Sequence, residues 1–355
     1  MDIIWGNVGN VLSGQIFELN VTHRKDGNKG KYSEIEKIRI HQIDIMSLPA
    51  DPSVYTKEQV EENLAGSFVK CEIKDKEGDG VLKSIVSHSG QGGYWLNFKW
   101  NQIEIDYKEI GQNENIIEKI ITGESSALII RNFYNNDSCK IISKRIEAKT
   151  FEDNEKMKKI GVSLTSYISN KAEYFVQADA LRKTVRQVFS GLEDPRKKIH
   201  KTLQLLFPEK QVTIAVENGK KYACGVIRLH ELGDFAPIHR DNASYEAKGF
   251  DISKFSIQLS TVLYIQQSQK GGELVLHKKS WKKSDEKFRN IDFGYSRDVI
   301  LDCNESVKIK PNQGDLIIIN PIYYHEILPV KANKRITLGL FLAFSKHGEK
   351  VVTWS

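Results

Sequence analysis

Between Phe255 and Ile265 the chain alternates with a period of two. Phe255, Ile257, Leu259, Thr261, Leu263 and Ile265 fall on one side, and Ser256, Gln258, Ser260 and Tyr264 on the other. That period belongs to a β-strand with one buried face. The same texture recurs in residues 272–277, 299–310, 314–320 and 335–345, with turn residues between them. Many such strands in succession constrain this part of the chain to an antiparallel sandwich or jelly roll. In the last strand Arg335, Thr337 and Gly339 share one face. Ile336, Leu338, Leu340 and Leu342 share the other, which is expected to be the packed outer side.

The strands carry a specific set of polar residues. His239 and Asp241 lie two apart in "FAPIHRDN", so in extended backbone they project to one side. His325 follows in "NPIYYHEILPV", and Arg335 comes ten residues later. Two imidazoles and one carboxylate bind one face of a non-heme Fe(II) and leave the other positions for cosubstrate and O₂. An arginine offers a rigid fork for a carboxylate, so Arg335, helped by the Thr337 hydroxyl, is placed to hold the far carboxylate of a 2-oxo acid. The competing partner for Arg335 within the chain is Asp315. His230, on the preceding strand, either points inward to the cosubstrate or is a core histidine. His277 reads as the end of a strand entering a lysine-containing loop rather than as a ligand. Candidate substrate contacts are Arg228, Tyr245, Phe250, Gln258 and Tyr323. Arg228 is suited to an anionic substrate or to a structural ion pair. Tyr245 and Phe250 lie in "NASYEAKGFD", read as a loop that closes over the site.

The rest of the chain differs in texture. Residues 1–120 hold short β-like runs at 14–21, 67–73, 81–87 and 94–107, separated by Gly- and Asp-containing turns, with a charged loop near 24–32. Within the last run, residues 95–100 are expected to pair with 103–107 as a hairpin. This stretch reads as a β-rich accessory domain. Residues 121–355 form the second domain, with a helical buttress at about 136–207 and a jelly-roll core at about 212–345. In the buttress, Asn136-Asp137 caps a helix running through Glu147. Met157, Ile160, Leu164, Tyr167 and Ile168 recur at helical spacing, as do Leu181, Val185, Val188 and Phe189. Asp194-Pro195 opens a further helix. The fold class is therefore mostly β with flanking helices.

A formal net charge of +6 spread over scattered lysines is the mark of a solvated surface and argues little for nucleic acid. The four cysteines form no CxxC and give no zinc or disulfide framework, which points to a reducing cytoplasm. No apolar run is long enough to span a bilayer.

The segments "GGELVLH", "GDLIIINPIYYHEILPV" and "RITLGLFLAFS" resemble the 2-oxoglutarate/Fe(II) dioxygenase superfamily, including its prolyl-hydroxylase-like branch. "LIIRNFY", "YACGVIRL", "GGELVLHKKSW", "YYHEI" and "FLAFSKHGEKVVTWS" are similar to segments of cyanobacterial halogenases that act on welwitindolinone- and hapalindole-type alkaloids. The resemblance covers the chain beyond the first 120 residues. It implies a double-stranded β-helix with His239, Asp241 and His325 on iron and Arg335 on 2-oxoglutarate, and ascorbate as a support for activity in vitro. Those halogenases have a glycine where this chain has Asp241, and the gap admits chloride. The carboxylate here implies a hydroxylase acting on an unactivated C–H of a small molecule, either a natural-product intermediate or an amino-acid derivative, with release of succinate and CO₂. Alternatives are the same chemistry on a peptide, carrier-bound or nucleic-acid substrate docked by the first domain, or desaturation, ring closure or epimerisation. Intact ligands argue against a non-catalytic barrel.

Overall fold

The computed structural model describes the chain apart from residues 1, 26–29, 45–50, 66, 89–99, 112–114, 150–157, 291–292, 301–302 and 304. It divides into two compact units, Met1–Asn97 and Phe98–Ser355.

The first unit is a closed five-stranded barrel. Asp2–Val11, Ile16–Arg24 and Ile35–Asp44 form an antiparallel meander. Leu82–His88 pairs in parallel with Ile35–Asp44, and Phe68–Lys76 closes the barrel between Leu82–His88 and Asp2–Val11. The helix Lys57–Leu64, opened by a Thr56–Gln59 capping box, connects the third and fourth strands. This order is that of an OB-type barrel. Ile4, Phe17, Leu19, Ile38, Val69 and Val86 fill its interior, and Val60 and Leu64 of the helix join the same cluster. The first and third strands are additions to the sequence reading. Gly6 and Gly9 interrupt one, and charged residues interleave the other, so neither shows a strong strand signal until the barrel closes.

The second unit is a two-sheet sandwich of the double-stranded β-helix type. The large sheet runs in the order Ile103–Asp106, Ala127–Arg131, Leu316–Ile319, Ile257–Gln266, Arg335–Phe344, Val226–His230 and Lys158–Ile160. The small sheet runs Ala236–His239, Tyr323–Ile327, Leu274–Ser280 and Ser306–Ile309. Leu259, Leu263, Leu316, Ile318, Ile336, Leu338, Leu340 and Leu342 pack outward against Ile142, Val185, Ile199 and Leu203 of the helices. Tyr264, Ile317 and Ile319 turn inward, in one cluster with Leu274, Leu276 and Ile327 of the small sheet. The alternation in residues 255–265 and 335–345 is thus a division between helix-facing and sandwich-facing side chains.

Three local expectations change, and a fourth lies partly outside the described residues. Residues 158–168 are a short strand, Lys158–Ile160, and a 3-10 turn, Leu164–Tyr167, rather than one helix. Ile160 pairs with Ile227 at the sheet edge, and Gly161 follows at φ +105°, which a helix cannot accommodate. Met157 lies outside the described residues. Residues 299–310 give a 3-10 turn, Arg297–Ile300, and only a four-residue strand, Ser306–Ile309. The cap of Asn136–Glu147 is Asn135, whose side chain accepts from Ser138 N–H. Residues 95–99 of the expected hairpin lie outside the described residues, and Ile103–Asp106 pairs in parallel with Ala127–Arg131. Asp194 and Pro195 do open Pro195–Leu206 as the sequence indicates.

That parallel pairing moves the unit boundary from about 120 to Phe98. Trp100 is buried and donates its indole N–H to the Gly123 carbonyl at 2.9 Å. A chain starting at residue 98 should therefore unfold cooperatively in urea. One starting at residue 121 should be less stable by at least about 3 kcal/mol, the burial of roughly two large apolar side chains, as read from the two denaturation curves.

Candidate metal centre and cosubstrate pocket

His239 ends one strand of the small sheet and lies directly opposite His325 on its antiparallel neighbour. Their ring centroids are 4.2 Å apart. Each ring is oriented by its own backbone: His239 Nδ1–H donates to the Pro237 carbonyl at 2.7 Å, and His325 Nδ1–H donates to the Tyr323 carbonyl at 2.9 Å. Both Nε2 atoms are thereby left as the ligand atoms, the tautomer that backbone hydrogen bonds characteristically fix in metal-binding histidines. Asp241 is held by its own N–H, which donates to the Pro321 carbonyl at 2.8 Å. Its Oδ2 lies 3.4 Å from His325 Nε2. One ligand atom from each of the three residues lies within 4.8 Å of the others, close enough to share one ion. Burial, with the neighbouring His325, pulls the His239 imidazole down to about 4, so it is neutral at physiological pH. Burial pushes the Asp241 carboxyl up. Its contact with His325 and the nearby His239 and Arg228 outweigh that and hold it below its usual value. Two imidazole nitrogens and one carboxylate grouped this closely suit Fe(II).

The inner face of the large sheet adjoins this group. Arg335 and Thr337 are buried and two apart on Arg335–Phe344; His230 pairs in register with Arg335, and Arg228 with Thr337. Arg335 donates from Nη2 to the Tyr264 hydroxyl at 3.2 Å and from Nη1 to His230 Nδ1 at 3.4 Å. Burial and the two arginines pull the His230 imidazole down to about 3, so it is neutral, with its proton on Nε2. That Nε2 and Arg335 Nε are buried with no hydrogen-bond partner among the described residues. A carboxylate-bearing cosubstrate is the natural acceptor for both. The competing partner is excluded: Asp315 accepts from Arg131 instead.

Arg228 has no ion pair or side-chain hydrogen bond among the described residues. Burial lowers its pKa, Arg335 adds to the effect, and the Asp241 charge opposes it. Gly339 makes room for it, since a Cβ there would lie 3.0 Å from Arg228 Nη1. Gln258 and Tyr323 line, with Asp241, a cavity of about 260 Å³ that also takes in Asn242, Asn320 and Phe255. A larger cavity of about 970 Å³ lies among helices bearing Arg182, Arg186 and Arg196 and contains none of these residues.

Two expected substrate contacts sit elsewhere. Phe250 is fully buried in an aromatic cluster with Tyr174, Phe175 and Tyr222, where its ring is core. Tyr245 is on the short helix Ala243–Glu246 and packs against Trp281 and Arg240. His277 is no ligand but is fully buried between Ser306 and Glu326. Tyr264, which accepts from Arg335, was not among the expected site residues, although alternation places it on the same face as Gln258. Arg240, between two of the three grouped residues, gave no sequence signal at all.

The sequence model of the carrier-protein-independent halogenase WelO5 family matches residues 98–355, the whole second unit. The chain belongs to this family. As a WelO5-family protein with the His-Asp-His group, it is a 2-oxoglutarate-dependent dioxygenase that uses Fe(II). It is 29% identical over 210 residues to leucinostatins biosynthesis cluster protein S of Purpureocillium lilacinum, covering 55% of this chain and 84% of the relative. It is 23% identical over 253 residues to L-isoleucine 3(1)-dioxygenase of Pantoea ananatis, covering 64% of this chain and 82% of that one. Among solved structures, an N-substituted L-amino acid dioxygenase from Burkholderia ambifaria matches 67% of this chain and 90% of its own at 16% identity and a TM-score of 0.45, too slight a likeness to bear on function. Among the described residues, no helix is long and apolar enough to cross a membrane.

Replacing Arg335 with leucine leaves His230 Nδ1 and the Tyr264 hydroxyl without their guanidinium donor. The affinity for 2-oxoglutarate should fall by about thirtyfold or more, the usual cost of about 2–5 kcal/mol for truncating a buried charge pair. Anaerobic titration of the Fe(II)-loaded protein checks this, and metal affinity should change little.

Proposed function

We propose that this protein hydroxylates an unactivated C–H bond of a small carboxylate-bearing molecule of the amino-acid or amino-acid-derived class. His239, Asp241 and His325 hold Fe(II). Arg335, with His230, Thr337 and Tyr264, holds 2-oxoglutarate. With iron bound, O₂ would be the oxidant: two of its four oxidising equivalents and one oxygen atom would go to 2-oxoglutarate, giving succinate and CO₂, and the rest to the substrate C–H. The residues around the metal fix where the substrate's C–H lies and keep bulk water from the site.

The observation that carries the reading is Asp241. A glycine at this position would leave a coordination place for a halide, whereas a carboxylate on backbone tied to Pro321, with its Oδ2 3.4 Å from His325 Nε2, fills it. Hydroxylation is therefore the outcome this site favours within a family named for halogenation. The substrate class follows from Arg228. Once Arg335 is assigned to 2-oxoglutarate, a second inward guanidinium remains, and a substrate carboxylate would neutralise it. L-isoleucine 3(1)-dioxygenase, by its name, acts on an amino acid, and leucinostatins biosynthesis cluster protein S belongs to a biosynthetic cluster. Both fit a free small molecule, as does the family's carrier-protein-independent description.

The nucleic-acid reading gains nothing from the first unit. Single-strand binding uses aromatic side chains as stacking platforms. The strands Ile16–Arg24 and Ile35–Asp44 carry Phe17 inward and present no Phe, Tyr or Trp outward among the described residues.

Incubating the protein with Fe(II), ascorbate, 2-oxoglutarate and a panel of free and N-substituted amino acids should give succinate and a product heavier by one oxygen atom. Arg228→Leu should raise KM for that substrate by about tenfold to a hundredfold, the loss of a charged hydrogen bond. Substrates with the carboxylate blocked as an amide should lose a similar factor with the unchanged protein.

A further inference from the structure

Arg240 separates His239 from Asp241, and strand alternation sends its side chain to the opposite side. There it is completely buried. The guanidinium lies 4.3 Å from the Trp281 ring centroid and 5.1 Å from that of Tyr245. Nη1 is 3.1 Å from a Glu246 carboxylate oxygen, and Nη2 donates to Glu286 Oε1 at 3.2 Å. Glu286 is itself tied down: it accepts from Trp281 Nε1 at 2.7 Å, the Tyr295 hydroxyl at 2.7 Å and Arg289 Nε at 2.8 Å. Arg289 closes the ring by donating to Glu246 at 2.6 Å. Two guanidiniums and two carboxylates thus form a neutral, aromatic-walled cluster behind the iron ligands.

The cluster reaches all three ligand segments. Glu246 lies on the helix that begins two residues after Asp241. Tyr295 N–H donates to the Ile238 carbonyl at 2.8 Å, next to His239. The segment carrying Glu286 also carries Asp285, which accepts from the Tyr324 hydroxyl at 3.1 Å, next to His325. The Trp281 N–H donates to the Ile322 carbonyl at 3.1 Å.

We propose that Arg240 is a positioning residue for the metal centre: clamped between Trp281 and Tyr245, ion-paired with Glu246 and hydrogen-bonded to Glu286, it holds the turn that presents His239 and Asp241 at one distance from His325. This rests on the assignment of those three residues as the iron ligands. A lysine is a poor substitute, because it cannot stack flat on Trp281 while pairing with two carboxylates. Groups that orient metal ligands typically contribute tenfold to a hundredfold in metal affinity.

The test is anaerobic titration of the full chain with Co(II), followed by its visible ligand-field spectrum, for wild type, Arg240→Met, Arg240→Lys and Trp281→Leu. His239→Ala separates the two claims: if it leaves Co(II) binding intact, the ligand assignment itself fails. With that assignment holding, Arg240→Met and Trp281→Leu should keep their far-ultraviolet circular dichroism and bind Co(II) about tenfold to a hundredfold more weakly, with an altered spectrum. Arg240→Lys should fall between them and wild type. Arg131→Met, which breaks the ion pair with Asp315 in the same unit, controls for general loss of stability and should leave Co(II) affinity unchanged. Wild-type affinity and spectrum in folded Arg240→Met would overturn the proposal, as would an equal loss in Arg131→Met. If Arg240→Met does not fold, Trp281→Leu and Arg240→Lys decide by the same criteria.

Discussion

The site depends on one register. His239 on Ala236–His239 faces His325 on Tyr323–Ile327 as a direct cross-strand pair. In an antiparallel sheet such partners have Cβ atoms about 4.5–5.5 Å apart, close enough to share an ion. A slip by one residue would send one imidazole to the far face of the sheet. The register is held from both faces. On one, Leu274, Leu276 and Ile327 pack inward against Tyr264, Ile317 and Ile319 of the large sheet. On the other, His277 and Glu326 are buried, and Arg297 pairs with both Glu326 oxygens at 2.8 Å. Apolar packing and a buried polar network thus fix the same alignment.

Electrostatics then divides the interior into roles. Among the described residues, Arg335, buried, and Arg228, half-buried, have no carboxylate partner beyond the nearby Asp241, and burying an unpaired charge such as Arg335 costs on the order of several kcal/mol. A fold does not retain that cost for packing, since leucine would pack as well. On the proposed function, the two guanidiniums are halves of interactions that ligands complete, one with 2-oxoglutarate and one with the substrate. Asp241 is the carboxylate beside them, and its lowered pKa keeps it ionised for the role proposed on the metal.

The chemistry was more legible in the sequence than the architecture. His239, Asp241, His325 and Arg335 are visible because their spacing combines with strand alternation, and alternation also placed Thr337 on the correct face. The unit boundary was hidden, because Ile103–Asp106 becomes a strand only through parallel pairing with Ala127–Arg131, a contact without a local signal. Phe250 was misread for a related reason. An aromatic residue in a glycine-containing loop looks like a lid, and only the distant Tyr174 and Tyr222 show it to be core. The helical spacing of residues 157–168 was overridden by edge pairing at Ile160. Arg240 was invisible because two of its partners, Trp281 and Glu286, lie more than forty residues downstream, and the nearer Tyr245 and Glu246 reach it only through the turn and helix after Asp241.

The central claim is that Asp241 occupies the coordination place a halide would otherwise take. Its most direct test needs no substrate: the visible charge-transfer band of the anaerobic Fe(II)–2-oxoglutarate complex is recorded while chloride is added at constant ionic strength. The account predicts a band that does not move with chloride in the wild-type protein. A saturable, chloride-specific shift would contradict it and return the protein to halogenation.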